Sequence, residues 1–232
     1  MHINFYEQEK QKTNNHYHLE MNFVNIAGSS EFEATANKSF DEKVLEPFKN
    51  VLADTASNKL IVIHLMGSHA TYSSRYPIEF DRFTDVENGD QLINEYDNSV
   101  LYNDFIVNEI FSITANDSKM KPKSLYSVIY LSDHGENVHD EGEGVGHTWA
   151  NSIPKCNVEI PFVVWISPNY EAQKNLTIDE SLPFVAEDLF YSMIDLNGIS
   201  IEHNQLKRSL FNHSFNATRK RVLEDGKDYD LK

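Results

Sequence analysis

Apolar and polar positions divide this chain into short apolar runs separated by longer segments with helical spacing. Lys59 to His64, with Leu60-Ile61-Val62-Ile63 at its centre, reads as a central parallel strand. Ser124 to Leu131 and Ile160 to Ile166 are rich in β-branched and aromatic residues and read as two further buried strands. Between the first two runs, Gln91 to Ala115 is the longest helical segment, with Tyr96, Val100, Phe105, Val107, Ile110 and Phe111 on its buried side. Phe40 to Ala53 reads as a helix through Val44, Leu45, Phe48, Val51 and Leu52. Ser39 with Glu42 forms a capping-box pattern before it, and Pro47 within it predicts a kink or a late start. Pro183 to Leu196 reads as a last helix, through Val185, Leu189, Phe190, Met193, Ile194 and Leu196, stopped by Gly198. Residues 1 to 38 are polar and weakly patterned, with a short strand at Phe23 to Ala27, and Arg208 to Lys232 reads as a surface tail with one anchoring segment. Strands alternating with helices predict the α/β class, a mostly parallel sheet with helices on both faces.

Composition narrows the function more than the fold. The 232 residues are 40% hydrophobic and 12% aromatic, enough for a sizeable core. The formal charge is 20 − 36 = −16. That excludes nucleic acid as a partner, because such binding needs a basic face, and it disfavours attraction to anionic membranes. An anionic substrate would need a local positive charge, such as a metal, to approach. With Cys156 the only cysteine, no disulfide forms within the chain. No apolar run approaches the ~18 residues of a membrane span, and Met1-His2-Ile3-Asn4 does not open a signal peptide.

The chemistry concentrates where strands end. Tyr130-Leu131-Ser132-Asp133-His134-Gly135-Glu136 closes a strand with an acid, an imidazole and a glycine. Asp133 offers a hard oxygen and His134 a nitrogen, half of a zinc ligand set, with Gly135 allowing a sharp exit. A hydrogen-bonded Asp-His pair capping the loop is the alternative that these residues leave open. His64 and His69 follow the strand at 59 to 64, and His147 follows Gly146, so three segments could converge on one sheet edge. His16 and His18 carry only a weak local signal, and the acidic loop with Asp140, Glu141 and Glu143 has no calcium-loop register.

Taken in order, these motifs resemble a family. They are His64-Leu65-Met66-Gly67-Ser68-His69, Tyr72-Ser73-Ser74-Arg75-Tyr76-Pro77, Asn94-Glu95-Tyr96-Asp97-Asn98 through Tyr102-Asn103-Asp104, Tyr130 to Glu136, Gly146-His147, and Glu159-Ile160-Pro161-Phe162-Val163-Val164-Trp165. The set resembles the phosphoethanolamine transferases of the alkaline phosphatase and sulfatase superfamily, most of all the branch modifying the lipopolysaccharide inner core. The resemblance runs from about residue 38 to the end, including Arg208 to Phe211 and Asp228-Tyr229-Asp230. It implies an alkaline phosphatase-like fold and a catalytic domain on the periplasmic face of the bacterial inner membrane. It also implies zinc held by a Glu, a nucleophilic Thr and an Asp-His pair. Asp133 and His134 match that pair as metal ligands, and His69 and His147 match catalytic histidines near the phosphoryl group or a second zinc. His64 reads as structural. The implied reaction moves phosphoethanolamine from phosphatidylethanolamine to a lipopolysaccharide core sugar or lipid A.

The resemblance also has a gap. The family's membrane helices, nucleophile and metal-binding Glu precede the region matched here, so residues 1 to 232 read as the C-terminal portion of a catalytic domain. Ser68 and Thr148 read as loop hydroxyls, not replacements for the nucleophile, and Arg75 as a structural ion pair, with a phosphate contact as its alternative. The isolated chain is then expected to be inactive, with the preceding membrane and nucleophile segment as its partner and an open sheet edge in its absence. A sulfatase or phosphodiesterase-type hydrolase, or an inactive fragment, is the alternative reading.

Overall fold

The structure, a computed structural model, describes residues 2–10, 17–25, 40–56, 58–84, 90–141, 144–147, 153–174, 176, 179–199, 203–223 and 225–231, and for 2–10 and 17–25 it describes the backbone. The chain forms two compact units, residues 1–122 with 138–142, and residues 123–137 with 143–232.

In the first unit β1 (His2–Lys10), β2 (Tyr17–Asn25) and β3 (Lys59–His64) form a sheet in the order β2-β1-β3. Both pairings are antiparallel, with Ile3 opposite Val24 on one side and Ile63 on the other. This corrects the parallel setting expected for 59–64, and it places two long strands where sequence suggested only a short one at 23–27. The six residues between β1 and β2 are too few for the crossover that a parallel pair requires, which sets that pair antiparallel, and β3 runs antiparallel to β1 in its turn. Along β3 half-buried and exposed residues alternate, the period-two signature of a strand.

Helix α1 (Leu45–Ala53) starts late, after a 3-10 turn at Asp41–Val44, so Pro47 falls in its first turn, where a missing N–H costs nothing. Ser39, the expected cap, lies outside the described residues. Helix α2 (Gln91–Met120) runs five residues past its predicted end. Asp90 caps it, its carboxylate accepting from Leu92 N–H at 2.9 Å. The buried face is Asn98, Ser99, Tyr102, Ile106, Ile110 and Thr114; of the expected stripe Ile110 is buried and Tyr96, Val107 and Phe111 are half-buried, while Val100 and Phe105 are exposed. Polar side chains occupy this face because the chain satisfies them there. Asn98 Oδ1 accepts from the N–H groups of Arg82 and Phe83 (2.8 and 2.9 Å), while its amide donates to Asp81 and to the Phe83 carbonyl (both 3.0 Å). Tyr102 packs edge-on against Phe40 and Phe80 and receives the Glu42 N–H at 3.2 Å, joining the 3-10 turn to α2.

In the second unit β4 (Ser127–Leu131) pairs with β7 (Phe162–Ile166), again antiparallel. The connection between them contains, among the described residues, only the two-residue strands β5 (Asn137–Val138) and β6 (Val145–Gly146) and a 3-10 turn at Lys155–Asn157. With no crossover helix among the described residues, the chain returns in the opposite direction. Ser167 closes the pair, its N–H donating to the Tyr126 carbonyl (2.9 Å) and its hydroxyl accepting from Tyr126 N–H (3.1 Å). Helix α3 (Pro168–Lys174), which sequence did not suggest, places Tyr170 against Leu196 and Phe211, beside Ile129, Val164 and Ile166. Helix α4 (Leu189–Leu196) follows a 3-10 turn at Ala186–Asp188 and ends at Gly198, whose φ of 69° suits glycine. Phe190, expected on its buried side, is exposed. The tail is anchored by the buried Ser209, Leu210 and Phe211, and Arg208 and Arg219 both reach buried Asp188, at 2.5 and 2.8 Å.

Asp41 is the acid on which the first unit's loop depends. It is 6% exposed, and its carboxylate accepts from the N–H groups of Met66 and Gly67 at 3.1 and 2.9 Å, fixing the turn after β3. Burial raises its pKa above the usual 3.8, against those two donors and the nearby Arg75 charge, which lower it. A raised carboxyl pKa gives stability that is fully present below the unfolded pKa and lost as pH rises through the folded one. In urea titrations, the stability of the wild type relative to Asp41→Asn should therefore fall as pH rises above 3.8 and then level off. A difference that grows over that interval would contradict the burial argument.

Candidate metal centre

The site is built from three short pieces of the second unit: the turn after β4, the Gly146-His147 corner and the Lys155–Asn157 turn. Beyond Leu131, Ser132 Oγ donates to the His134 carbonyl at 2.6 Å, and His134 N–H donates to Asp133 Oδ1 at 3.1 Å. Gly135 then lies flat against the 3-10 turn, its N–H donating to the Asn157 carbonyl at 2.9 Å. A Cβ on Gly135 would stand 1.9 Å from the Cys156 carbonyl oxygen, so only glycine permits this approach.

The turn brings His134 and Glu136 to His147. Their ligand atoms lie within 4.8 Å of one another. One Glu136 oxygen is 3.3 Å from His147 Nδ1 and 3.9 Å from His134 Nδ1, and the two imidazole centroids are 4.2 Å apart. The Glu136 side chain is only 12% exposed, while those of His134 and His147 are 41% and 51% exposed, so the carboxylate forms the floor and the imidazoles the rim. His134 Nδ1 is also 2.8 Å from the Gly135 carbonyl. A carbonyl only accepts, so in that contact Nδ1 carries the proton and Nε2 is left as a donor atom for a metal. Two imidazoles and a carboxylate are three ligands of a zinc site with a fourth position left for a reacting group. The donor set therefore fits zinc.

The structure thus brings together two of the expected site residues, His134 and His147. Asp133 is exposed at the same strand end, with its carboxylate on the His134 N–H. His69 belongs to the first unit, in the turn after β3, where its Nδ1 is 2.7 Å from the Ala70 carbonyl and its N–H donates to Met66 at 3.3 Å. His64, exposed, ends β3. Arg75 is 3% exposed, beside the Asp41 charge, with burial lowering its pKa. Thr148, Glu143 and His16 lie outside the described residues. Sequence reasoning missed Glu136 as a candidate ligand, although an acid two residues beyond a histidine, across a glycine, was a usable signal. It also missed Asn157, which carried no motif at all.

A candidate metal centre at the end of an α/β strand suits a broad class, and comparison with known proteins narrows it. The sulfatase family profile matches residues 1–199, and the chain belongs to the sulfatase family. Its fold is that of the alkaline phosphatase-like soluble domains. Among curated relatives, phosphoethanolamine transferase EptC of Escherichia coli K12 is 33% identical over 193 residues, 78% of this chain and 33% of that protein. Kdo(2)-lipid A phosphoethanolamine 7''-transferase of Salmonella typhimurium is 34% identical over 144 residues, 58% of this chain and 24% of that protein. The crystal structure of the C-terminal periplasmic domain of E. coli EptC in complex with Zn superposes with a TM-score of 0.69 at 31% identity, covering 83% of this chain and 57% of that one. The chain spans about a third of the length of EptC. Among the described residues no helix is long and apolar enough to cross a membrane.

Gly135→Ala tests the turn directly. Moving the Cys156 backbone aside should cost about 1–3 kcal/mol, the usual range for overpacking, read from denaturant midpoints. Zinc affinity should fall with it. Unchanged stability would mean that the close approach of Gly135 does not constrain the site.

Proposed function

We propose that residues 1–232 are the C-terminal portion of the catalytic domain of a phosphoethanolamine transferase that works on the periplasmic face of the inner membrane. Donor and acceptor are phosphatidylethanolamine and a lipopolysaccharide core sugar or lipid A. The observation that carries this reading is the His134–Glu136–His147 group at the end of β4 in a sulfatase-family chain similar to such transferases.

His134 is the central zinc ligand, Asp133 its neighbour from the same strand end, and Glu136 and His147 complete the donor set. Bound zinc supplies a positive charge that favours the ionised form of a nucleophilic hydroxyl and draws charge from phosphoryl oxygens. In a chain of net charge −16 that local charge also admits an anionic phosphodiester. The nucleophile is a threonine hydroxyl contributed by a segment preceding this one. That oxygen attacks the phosphorus of phosphatidylethanolamine, the bond to the diacylglycerol oxygen breaks, and that oxygen takes a proton as diacylglycerol leaves. An acceptor hydroxyl then attacks the same phosphorus, loses its proton, and releases the threonine oxygen. With His147 taken up by the donor set, His69 is the imidazole assigned to passing these protons, the work suited to that group near neutral pH.

The test compares this chain with a version extended upstream, measuring zinc content and transfer of phosphoethanolamine to lipid A or core oligosaccharide. Zinc should bind both forms and be lost in His134→Ala. Transfer should appear only in the extended form and fall at least 100-fold in His134→Ala, the scale of losing a group that stabilises the transition state. Zinc retention unaffected by His134→Ala would overturn the metal assignment, and release of phosphoethanolamine to water alone would make the protein a hydrolase.

A further inference from the structure

Asn157 is 3% exposed and bonds to both ligand-bearing pieces of the site. Its backbone carbonyl accepts the Gly135 N–H at 2.9 Å, one residue from His134 and one from Glu136. Its side-chain amide donates to the Gly146 carbonyl at 2.9 Å, one residue before His147. Gly146 has a φ of 93°, so the corner that aims His147 is a conformation other residues avoid and needs an outside hold. The 3-10 turn provides it rigidly, since Asn157 N–H donates to the Pro154 carbonyl at 3.2 Å and the Cys156 carbonyl is pressed against Gly135. Asn157 thus ties Gly135 through its backbone carbonyl and Gly146 through its side-chain amide, setting the distance between two loops 11 residues apart in sequence.

We infer that Asn157 is the positioning residue of the metal centre, holding His147 in register with His134 and Glu136 by bridging Gly135 to Gly146. This rests on the zinc reading above, since without a metal the bridge would only tie two loops. Asn157 touches neither metal nor substrate. Its effect passes through the Gly146 carbonyl to the neighbouring imidazole, as outer hydrogen bonds orient metal ligands elsewhere.

The test is calorimetric titration of the chain with Zn²⁺, with cooperative urea unfolding recorded alongside. Asn157→Ala should weaken zinc binding about 10–100-fold, the usual effect of losing an orienting partner. In the double variant with His147→Ala the loss should be no greater than in His147→Ala alone, because both changes remove the same ligand. A merely structural role predicts a lower unfolding midpoint, unchanged affinity of the folded protein and additive losses, and that result overturns the inference. If Asn157→Ala does not fold, Asn157→Asp keeps the volume but faces the Gly146 carbonyl with an acceptor, and the same loss and the same non-additivity should appear. His134→Ala separates the two levels. If it leaves zinc binding intact, the metal reading fails and takes this inference with it. If it abolishes binding while the Asn157 variants bind normally, only the positioning role fails.

Discussion

The site depends on a hydrogen atom where any other residue would carry a carbon. At Gly135 the strand-end turn lies so close to the Cys156 carbonyl that a Cβ would stand 1.9 Å away. That contact places Gly135 N–H on the Asn157 carbonyl, and it carries His134 on one side and Glu136 on the other. The antiparallel β4–β7 pair gives the turn its footing, and the cluster of Tyr170, Leu196 and Phe211 backs that pair. Geometry at the ligands is thus inherited from packing several residues away.

Charge gives the arrangement its chemical meaning. A protein with 36 acidic and 20 basic residues repels phosphate over most of its surface. Two imidazoles grouped around one carboxylate are a poor anion site by themselves but a good seat for a divalent cation. On the proposed reading, the −16 charge and the histidine cluster share one explanation: a cation, not basic side chains, would offset the charge met by an anionic substrate. Arginines elsewhere in the second unit are committed to structure, with Arg208 and Arg219 holding buried Asp188.

Strands were legible where they were continuously apolar. The runs at 59–64, 124–131 and 160–166 contain β3, β4 and β7. Their direction was not legible, because pairing depends on the connection, and a link between β4 and β7 with no helix among the described residues leaves no mark on either strand. The face of α2 was legible only in part for a related reason, Ile110 lying on it while Val100 and Phe105 do not. Asn98 and Ser99 are buried through partners at 81–83 and within the helix, which hydrophobic spacing cannot register. In the site, His134 and His147 stood out as histidines beside glycines, one at the end of an apolar run and the other at the end of the acidic loop. Glu136 was hidden by an acidic loop in which one carboxylate looks like the rest, and only its 12% exposure beneath two imidazoles distinguishes it. Asn157 and Asp41 were invisible, since both work through backbone N–H and C=O groups that sequence does not display.

The central claim is that the turn after β4 holds a zinc ion through His134. A crystal of this chain grown with zinc, measured at the zinc absorption edge, tests it most directly. The expected result is an anomalous peak within coordination distance, about 2.0–2.1 Å, of a His134 ring nitrogen, with carboxylate oxygen and the His147 ring beside it. A peak only at other residues, or none at the strand end at saturating zinc, would contradict the claim.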